Sequence, residues 1–167
     1  MTSKAFISLG SNIGDSENIV RRAMERLAQL SAQPLLKSSL WQTTPVDCPP
    51  GSPPFVNAVV GMTPRAGETP ESLLEKLQKL EKEFGRLQKR IVNEPRRLDL
   101  DLICFGGEQR ATATLTLPHP RACARRFVLQ PLAEIAPALL LPGQSATVAD
   151  LLVLLATRET LFRIGEP

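Results

Sequence analysis

From Leu98 to Leu102 leucine and aspartate alternate without a break, Leu98-Asp99-Leu100-Asp101-Leu102. A period of two marks a strand whose faces meet different surroundings, so the leucines point into a core and both aspartates to the opposite face. Aspartate is a poor strand former, and two on one face need a reason. Residues two apart on a strand stand about 7 Å apart. Two carboxylates so placed can hold two Mg2+ ions, which favour carboxylate, phosphate and water oxygens. Ions roughly 4 Å apart clamp the attacking and leaving oxygens of phosphoryl transfer. An isolated D-x-D is more often just the wet face of a half-exposed strand. Here a basic stretch lies immediately upstream: Arg86, Lys89, Arg90, Arg96 and Arg97 against the single acid Glu94. Alone that stretch reads as a solvated loop. Beside two metal-type carboxylates it suits a compact polyanion.

The rest of the chain builds a frame for this strand. Ala5–Leu9 is an apolar run ended by Gly10-Ser11-Asn12, a strand and a turn. Asp15 or Ser16 caps a helix with Ile19, Ala23, Leu27 and Leu30 on one stripe. A second strand is expected over 35–43, a proline-rich loop over 44–54, and a third strand over 55–63. Thr69-Pro70-Glu71 opens a second helix, with Leu73, Leu77, Leu80 and Phe84 as its stripe and Gly85 as its stop. Short helices are expected over 126–135 and 148–156. The order β-α-β-β-α-β through residue 105 is that of a ferredoxin-like α+β fold. It predicts an antiparallel sheet, helices packed on it, and an extra C-terminal helical segment. With 167 residues and no linker composition, a single domain over 1–167 is expected.

The composition excludes several classes. One His and three Cys without metal spacing cannot form a His/Cys zinc site, and the odd Cys count argues against a disulfide framework. The N-terminus reads as too short and mixed for a signal peptide, and no apolar run is long enough to span a bilayer. A reducing cytoplasm is the expected compartment. A net charge of +3 does not demand a nucleic-acid partner, but the fold pattern and a sequence pI of about 9.0 permit a ferredoxin-like RNA-binding module. It is disfavoured by 4% aromatics, no Tyr, and two strand aspartates that would repel a phosphate backbone. No nucleic acid, membrane or partner subunit is expected.

Other residues merit weighing. Leu9–Asp15 is glycine-rich before a helix but lacks the Lys-Ser/Thr of a P-loop, so a capped turn is the better reading. His119 sits between Pro118 and Pro120, a stiff loop suited to presenting a side chain. Phe55 and Phe127 are core residues by default. Asn57 lies in an apolar strand, where a buried amide needs partners that a planar heterocycle could supply.

Taken together, the segments 6–15, 43–46, 54–59, Gly85-Arg86, Pro95-Arg96, 98–102, 118–121, 125–129 and 131–137 resemble the 6-hydroxymethyl-7,8-dihydropterin pyrophosphokinase family. The resemblance implies transfer of pyrophosphate from ATP to the pterin hydroxymethyl group, with AMP leaving, in folate synthesis. It implies that Asp99 and Asp101 hold two Mg2+ ions and that Arg86 and Arg96 act on the phosphates during catalysis. His119 and Arg125 would also contact ATP phosphates, Gln78 and Glu81 would lie on the nucleotide side, and Leu102 and Thr116 would offer backbone groups to adenine. Phe55 and Phe127 would sandwich the pterin, Asn57 would bond its edge, and the backbone near Thr43, Pro45 and Val46 would help. A pterin-binding relative without catalysis is the remaining alternative, and the intact aspartate pair argues against it. Val92-Asn93-Glu94, Thr114 and Pro120 differ from residues that some members carry.

Overall fold

The computed structural model describes residues 3–44, 50–85 and 97–164. Four strands form the framework: β1 (Ala5–Ser11), β3 (Trp41–Thr43), β4 (Phe55–Met62) and β5 (Asp99–Phe105), in the order β5-β1-β4-β3. All neighbours are antiparallel. Counted as the four core strands, this is the 4-1-3-2 order of the ferredoxin-like fold expected from the sequence.

The two long helices form for local reasons. α1 (Ser16–Leu30) is capped by Asp15, whose Oδ1 accepts the Asn18 N–H at 3.3 Å. α2 (Pro70–Glu83) begins with a reciprocal cap between Thr69 and Ser72, and Pro70 has no N–H to leave unsatisfied. It ends at Gly85, whose φ of +85° is strained for any residue with a Cβ. The stripes Ile19, Ala23, Leu27 and Leu73, Leu77, Leu80 are buried against Ile7, Leu9, Ala58, Val60, Leu100 and Leu102. Truncating a fully enclosed leucine such as Leu77 would cost about 2–5 kcal/mol.

The opposite sheet face has its own apolar layer. Phe6, Val59, Ile103 and Cys104 pack there with Val128, Leu129 and Leu132 of α3 (Arg126–Ile135) and Val148 of α4 (Val148–Leu154). Burial pushes the Cys104 thiol up to about 12, so it is inert packing. The C-terminal helical segment expected over 126–156 thus covers this face, although α4 stops at Leu154.

The sheet has two irregularities. The expected strand over 35–43 is split into β2 (Leu36–Lys37) and β3. Leu36 faces Gly61 whereas Trp41 faces Asn57, a slip of one residue. Ser38 supports the break, since its Oγ accepts the Val59 N–H at 2.9 Å. In β5 the register against β1 shifts between Phe6 and Ile7, which makes Ile103 the extra residue. The sequence pattern also gave no sign of the small hairpin β6 (Arg110–Ala111) and β7 (Thr116–Leu117). Nor did it reveal β8 (Leu161–Arg163), which pairs with β3 at the sheet edge.

Candidate active site

The apolar layer under α3 covers only part of its sheet face. Towards the other end, the same face turns polar. Asp99 is opposite Gly10, Gly10 is opposite Asn57, and Asn57 is opposite Trp41. Directly paired residues share a face, so these four form one transverse row. The next row is Asp101, Ser8 and Val59. The two aspartates therefore do share a face, as the alternation predicts, and both are half-buried while Leu98, Leu100 and Leu102 are in the core.

Gly10 lets this row close up. A Cβ there would stand 2.9 Å from Asn57 Oδ1 and 3.8 Å from the Phe55 ring. Gly10-Ser11-Asn12 predicts a turn after the first strand, but Gly10 lies inside the strand, where close approach rather than turning explains it. Asn57 is 3% exposed, and its Nδ2 donates to Thr43 Oγ1 at 2.8 Å. That bond holds the buried amide in one orientation beside Phe55, which pairs with Thr43.

The edge of β5 is fixed from two directions. Glu81, 6% exposed in the last turn of α2, accepts the Leu100 N–H at 2.9 Å. Leu100 lies between the two aspartates, so this carboxylate braces the strand that carries them. The bulge at Ile103 frees its carbonyl to accept the His119 N–H at 2.8 Å, which docks the Pro118–Pro120 loop on the same strand.

His119 is half-buried, and its Nδ1 accepts the Arg121 N–H at 3.2 Å. A neutral ring in this setting carries its proton on Nε2. Burial, then the positive charges of Arg125 and Arg121, hold its pKa below the ordinary histidine value, against the opposing pull of Asp99. Arg125 is also half-buried. Burial, assisted by Arg121, lowers its pKa, while Asp101, Asp99 and Glu159 act the other way. His119, Arg125, Asp99 and Asp101 thus form one electrostatic cluster drawn from a loop, a helix cap and a strand.

Phe127 stands in the first turn of α3, half-buried, with the Arg125 guanidinium carbon 5.3 Å from its ring centroid. The ring is not isolated from the basic residues: one side faces Arg125. Its N–H donates to Glu159 Oε2 at 3.0 Å. A separation of 32 residues gave the sequence no means of signalling this bond.

The remaining expected residues fall as follows. Gln78 is exposed on α2, one turn before Glu81. Leu102 is buried in β5 and Thr116 is exposed in β7, in the segment leading to the His119 loop. Thr114 and Pro120 are exposed. Pro45, Val46, Arg86 and Arg96, with Val92, Asn93 and Glu94, lie outside the described residues. The described residues therefore bring together Asp99, Asp101, His119, Arg125, Asn57, Thr43, Phe55 and Phe127 around one end of the sheet.

Comparison with known proteins identifies the family. Residues 6–137 match the family described as 7,8-dihydro-6-hydroxymethylpterin-pyrophosphokinase. The chain is 41% identical over 136 residues to a 2-amino-4-hydroxy-6-hydroxymethyldihydropteridine pyrophosphokinase of Bacillus subtilis, covering 81% of this chain and 79% of that one. It is 38% identical over 148 residues to the protein of the same name from Synechocystis, covering 89% of this chain and 74% of that one. A crystal structure of Plasmodium falciparum HPPK-DHPS with pteroate superposes with a TM-score of 0.69 at 13% identity, over 92% of this chain. The chain spans 42% of the length of that Plasmodium chain, and the likeness there is one of fold. On the family match and these identities, the chain belongs to the 7,8-dihydro-6-hydroxymethylpterin pyrophosphokinase family.

Proposed function

We propose a division of labour across this polar end of the sheet for the family's reaction. That reaction is transfer of pyrophosphate from ATP to 6-hydroxymethyl-7,8-dihydropterin in folate biosynthesis, and this chain carries it out. The observation that carries the division is the transverse row Asp99–Gly10–Asn57. It joins a phosphate-side carboxylate to a heterocycle-side amide, with a gap between them that a Cβ would obstruct.

The donor set at Asp99 and Asp101 fits Mg2+. Among the described residues no group of three or more His, Cys, Asp or Glu could enclose a metal. Two carboxylates leave the other positions to phosphate and water oxygens, which Mg2+ accepts and a structural zinc site does not. When bound, two Mg2+ ions would offset charge on the transferred phosphates. Asp99 and Asp101 hold the cation side, and Glu81 serves the nucleotide side by keeping β5 in place between them. His119 offers Nε2–H to a phosphate oxygen, and Arg125 offers its planar fork. Gln78, the Leu102 backbone and Thr116 line the path to the adenosine, and Arg86 and Arg96 complete the phosphate contacts during transfer.

On the other side Phe55 and Phe127 stack on the pterin ring, and Asn57, held by Thr43, reads its edge. Backbone groups near Thr43, Pro45 and Val46 add hydrogen bonds. The ring is thereby oriented so that its hydroxymethyl oxygen meets the β-phosphorus of ATP; the new P–O bond forms as the bond to AMP breaks. Residues 1–167 act as one domain, as a monomer in the cytoplasm. No helix of the described residues is long and apolar enough to cross a membrane.

The test is AMP release from Mg-ATP with and without the pterin. The proposal expects AMP to appear only with the pterin and in equal amount to pterin diphosphate. ATP turnover indifferent to pterin would refute it.

A further inference from the structure

After α4, beyond the residues 6–137 that match the family, the chain returns to the sheet edge at β3. It is tied there at several points. β8 pairs with β3, the Ile164 N–H donates to the Leu40 carbonyl at 2.9 Å, and Arg163 Nε donates to Ser39 Oγ at 2.9 Å. Thr160 lies just before this strand, and its carbonyl accepts the Thr44 N–H at 3.3 Å. Thr44 follows Thr43, the partner of Asn57.

The neighbouring residue, Glu159, reaches the start of α3. α3 starts at Arg126 with Arg125 as its N-cap, and Arg125 makes no side-chain capping bond. Two arginines at a helix N-terminus also carry the wrong sign for its dipole. Glu159 corrects both defects: its Oε2 accepts the Phe127 N–H at 3.0 Å, and its charge acts favourably on Arg125. The carboxylate is itself prepared, since the Glu159 N–H donates to Thr157 Oγ1 at 3.2 Å.

We propose that Glu159 is a positioning residue of the pterin pocket. Its carboxylate caps the helix that carries Phe127 and fixes the ring, while the adjacent Thr160 carbonyl holds Thr44. Adjacent residues of the C-terminal segment thereby set the distance between the two pocket walls. The inference rests on the reading of Phe127 as a stacking partner of the pterin.

The experiment uses the full chain and the variants Glu159→Ala, Glu159→Gln, Phe127→Ala and the double Phe127→Ala/Glu159→Ala. Pterin KM, kcat, ATP-analogue Kd and Tm are read for each. Loss of one capping bond translates to a rise in pterin KM of about fivefold to tenfold in Glu159→Ala. ATP-analogue Kd should change by less than about twofold on the same scale. Glu159→Gln, which keeps an acceptor, should recover most of the loss. In the Phe127→Ala background, removing Glu159 should add little, because its effect passes through the ring. An unchanged pterin KM in Glu159→Ala overturns the proposal. So does a parallel loss of both substrates with a lowered Tm, no recovery by Gln, or a full additive effect in the double variant. If Phe127→Ala itself leaves pterin KM unchanged, the stacking reading fails and the positioning role falls with it. That result is distinct from a weakened Phe127→Ala beside a silent Glu159→Ala, which removes the positioning role alone.

Discussion

The Arg125 guanidinium carbon lies 5.3 Å from the centroid of the Phe127 ring. A residue assigned to phosphate thus rests on a residue assigned to the heterocycle, at a distance where a cation is attracted to an aromatic face. On the proposed division of labour, the two substrate sites meet at this contact.

From this follows a prediction for the rings. Phe→Ala in a closed core costs roughly 3–5 kcal/mol of stability. Phe55 and Phe127 are only half-buried, so Phe55→Ala and Phe127→Ala should destabilise by less than that. Each should weaken pterin binding by about 1–3 kcal/mol, by analogy with base stacking on aromatics. Phe55→Ala should leave ATP-analogue affinity unchanged, whereas Phe127→Ala, which removes the surface under Arg125, should shift it slightly. Calorimetry and thermal melts on both variants check this. Large unfolding losses with intact pterin affinity would return both rings to the core.

The gap at Gly10 gives a second prediction. Gly10→Ala would place a methyl 2.9 Å from Asn57 Oδ1, closer than carbon and oxygen tolerate. Asn57 is pinned by Thr43, so the strand must yield. Overpacking of this kind costs about 1–3 kcal/mol of stability. Pterin affinity should fall at least tenfold, about 1.4 kcal/mol. A Gly10→Ala protein with normal pterin affinity would show that the row leaves more room than its geometry implies.

His119 makes the third prediction, on pH. It is the only His, so its imidazole resonances are unambiguous. Burial and two arginines lower its folded pKa below the unfolded value. A depressed histidine is neutral in the fold while still protonated in the unfolded chain. Its contribution is therefore full above about pH 6.5, lost as pH falls from there to the folded pKa, and flat below. NMR titration should give a pKa below the usual value in the free protein and a higher one with an ATP analogue, whose phosphates favour the charged ring. No upward shift on adding the analogue would remove His119 from the phosphate site.

Much of this was legible in the sequence because periodicity encodes faces. The alternation at 98–102 sorted Asp99 and Asp101 from the leucines, and helical stripes located the layer formed by α1 and α2. The cap at Thr69 was readable from local residues, and the first helix's cap narrowed to Asp15 or Ser16, of which the structure uses Asp15. What stayed hidden depends on pairing between distant segments. The slip at Ser38 requires knowing that Ser38 meets Val59, and the bulge at Ile103 requires the register against β1. Gly10 looked like punctuation because a glycine within a strand and one after it are identical in sequence. Glu159 is an ordinary charged residue until the fold carries it to Phe127.

Glu81 supports a fourth prediction. Its carboxylate receives the Leu100 N–H inside the protein, so Glu81→Ala leaves a strand donor unsatisfied and should cost about 1–3 kcal/mol. Because that donor lies between the aspartates, kcat should fall as well. Glu81→Gln keeps an acceptor and should restore most of the stability, which chemical denaturation measures. Full stability in Glu81→Ala would mean that β5 does not depend on this brace.

The central claim is that Asp99 and Asp101, on one face of β5, form the phosphate-transfer end of the site. Single-turnover formation of AMP in Asp99→Asn and Asp101→Asn, with Tm measured alongside, tests it most directly. The substitution keeps side-chain shape and removes the charge that binds a hard cation. The account predicts a rate loss of at least about 100-fold, some 2.7 kcal/mol of barrier, with Tm nearly unchanged. Near-normal AMP formation in either folded variant would contradict it.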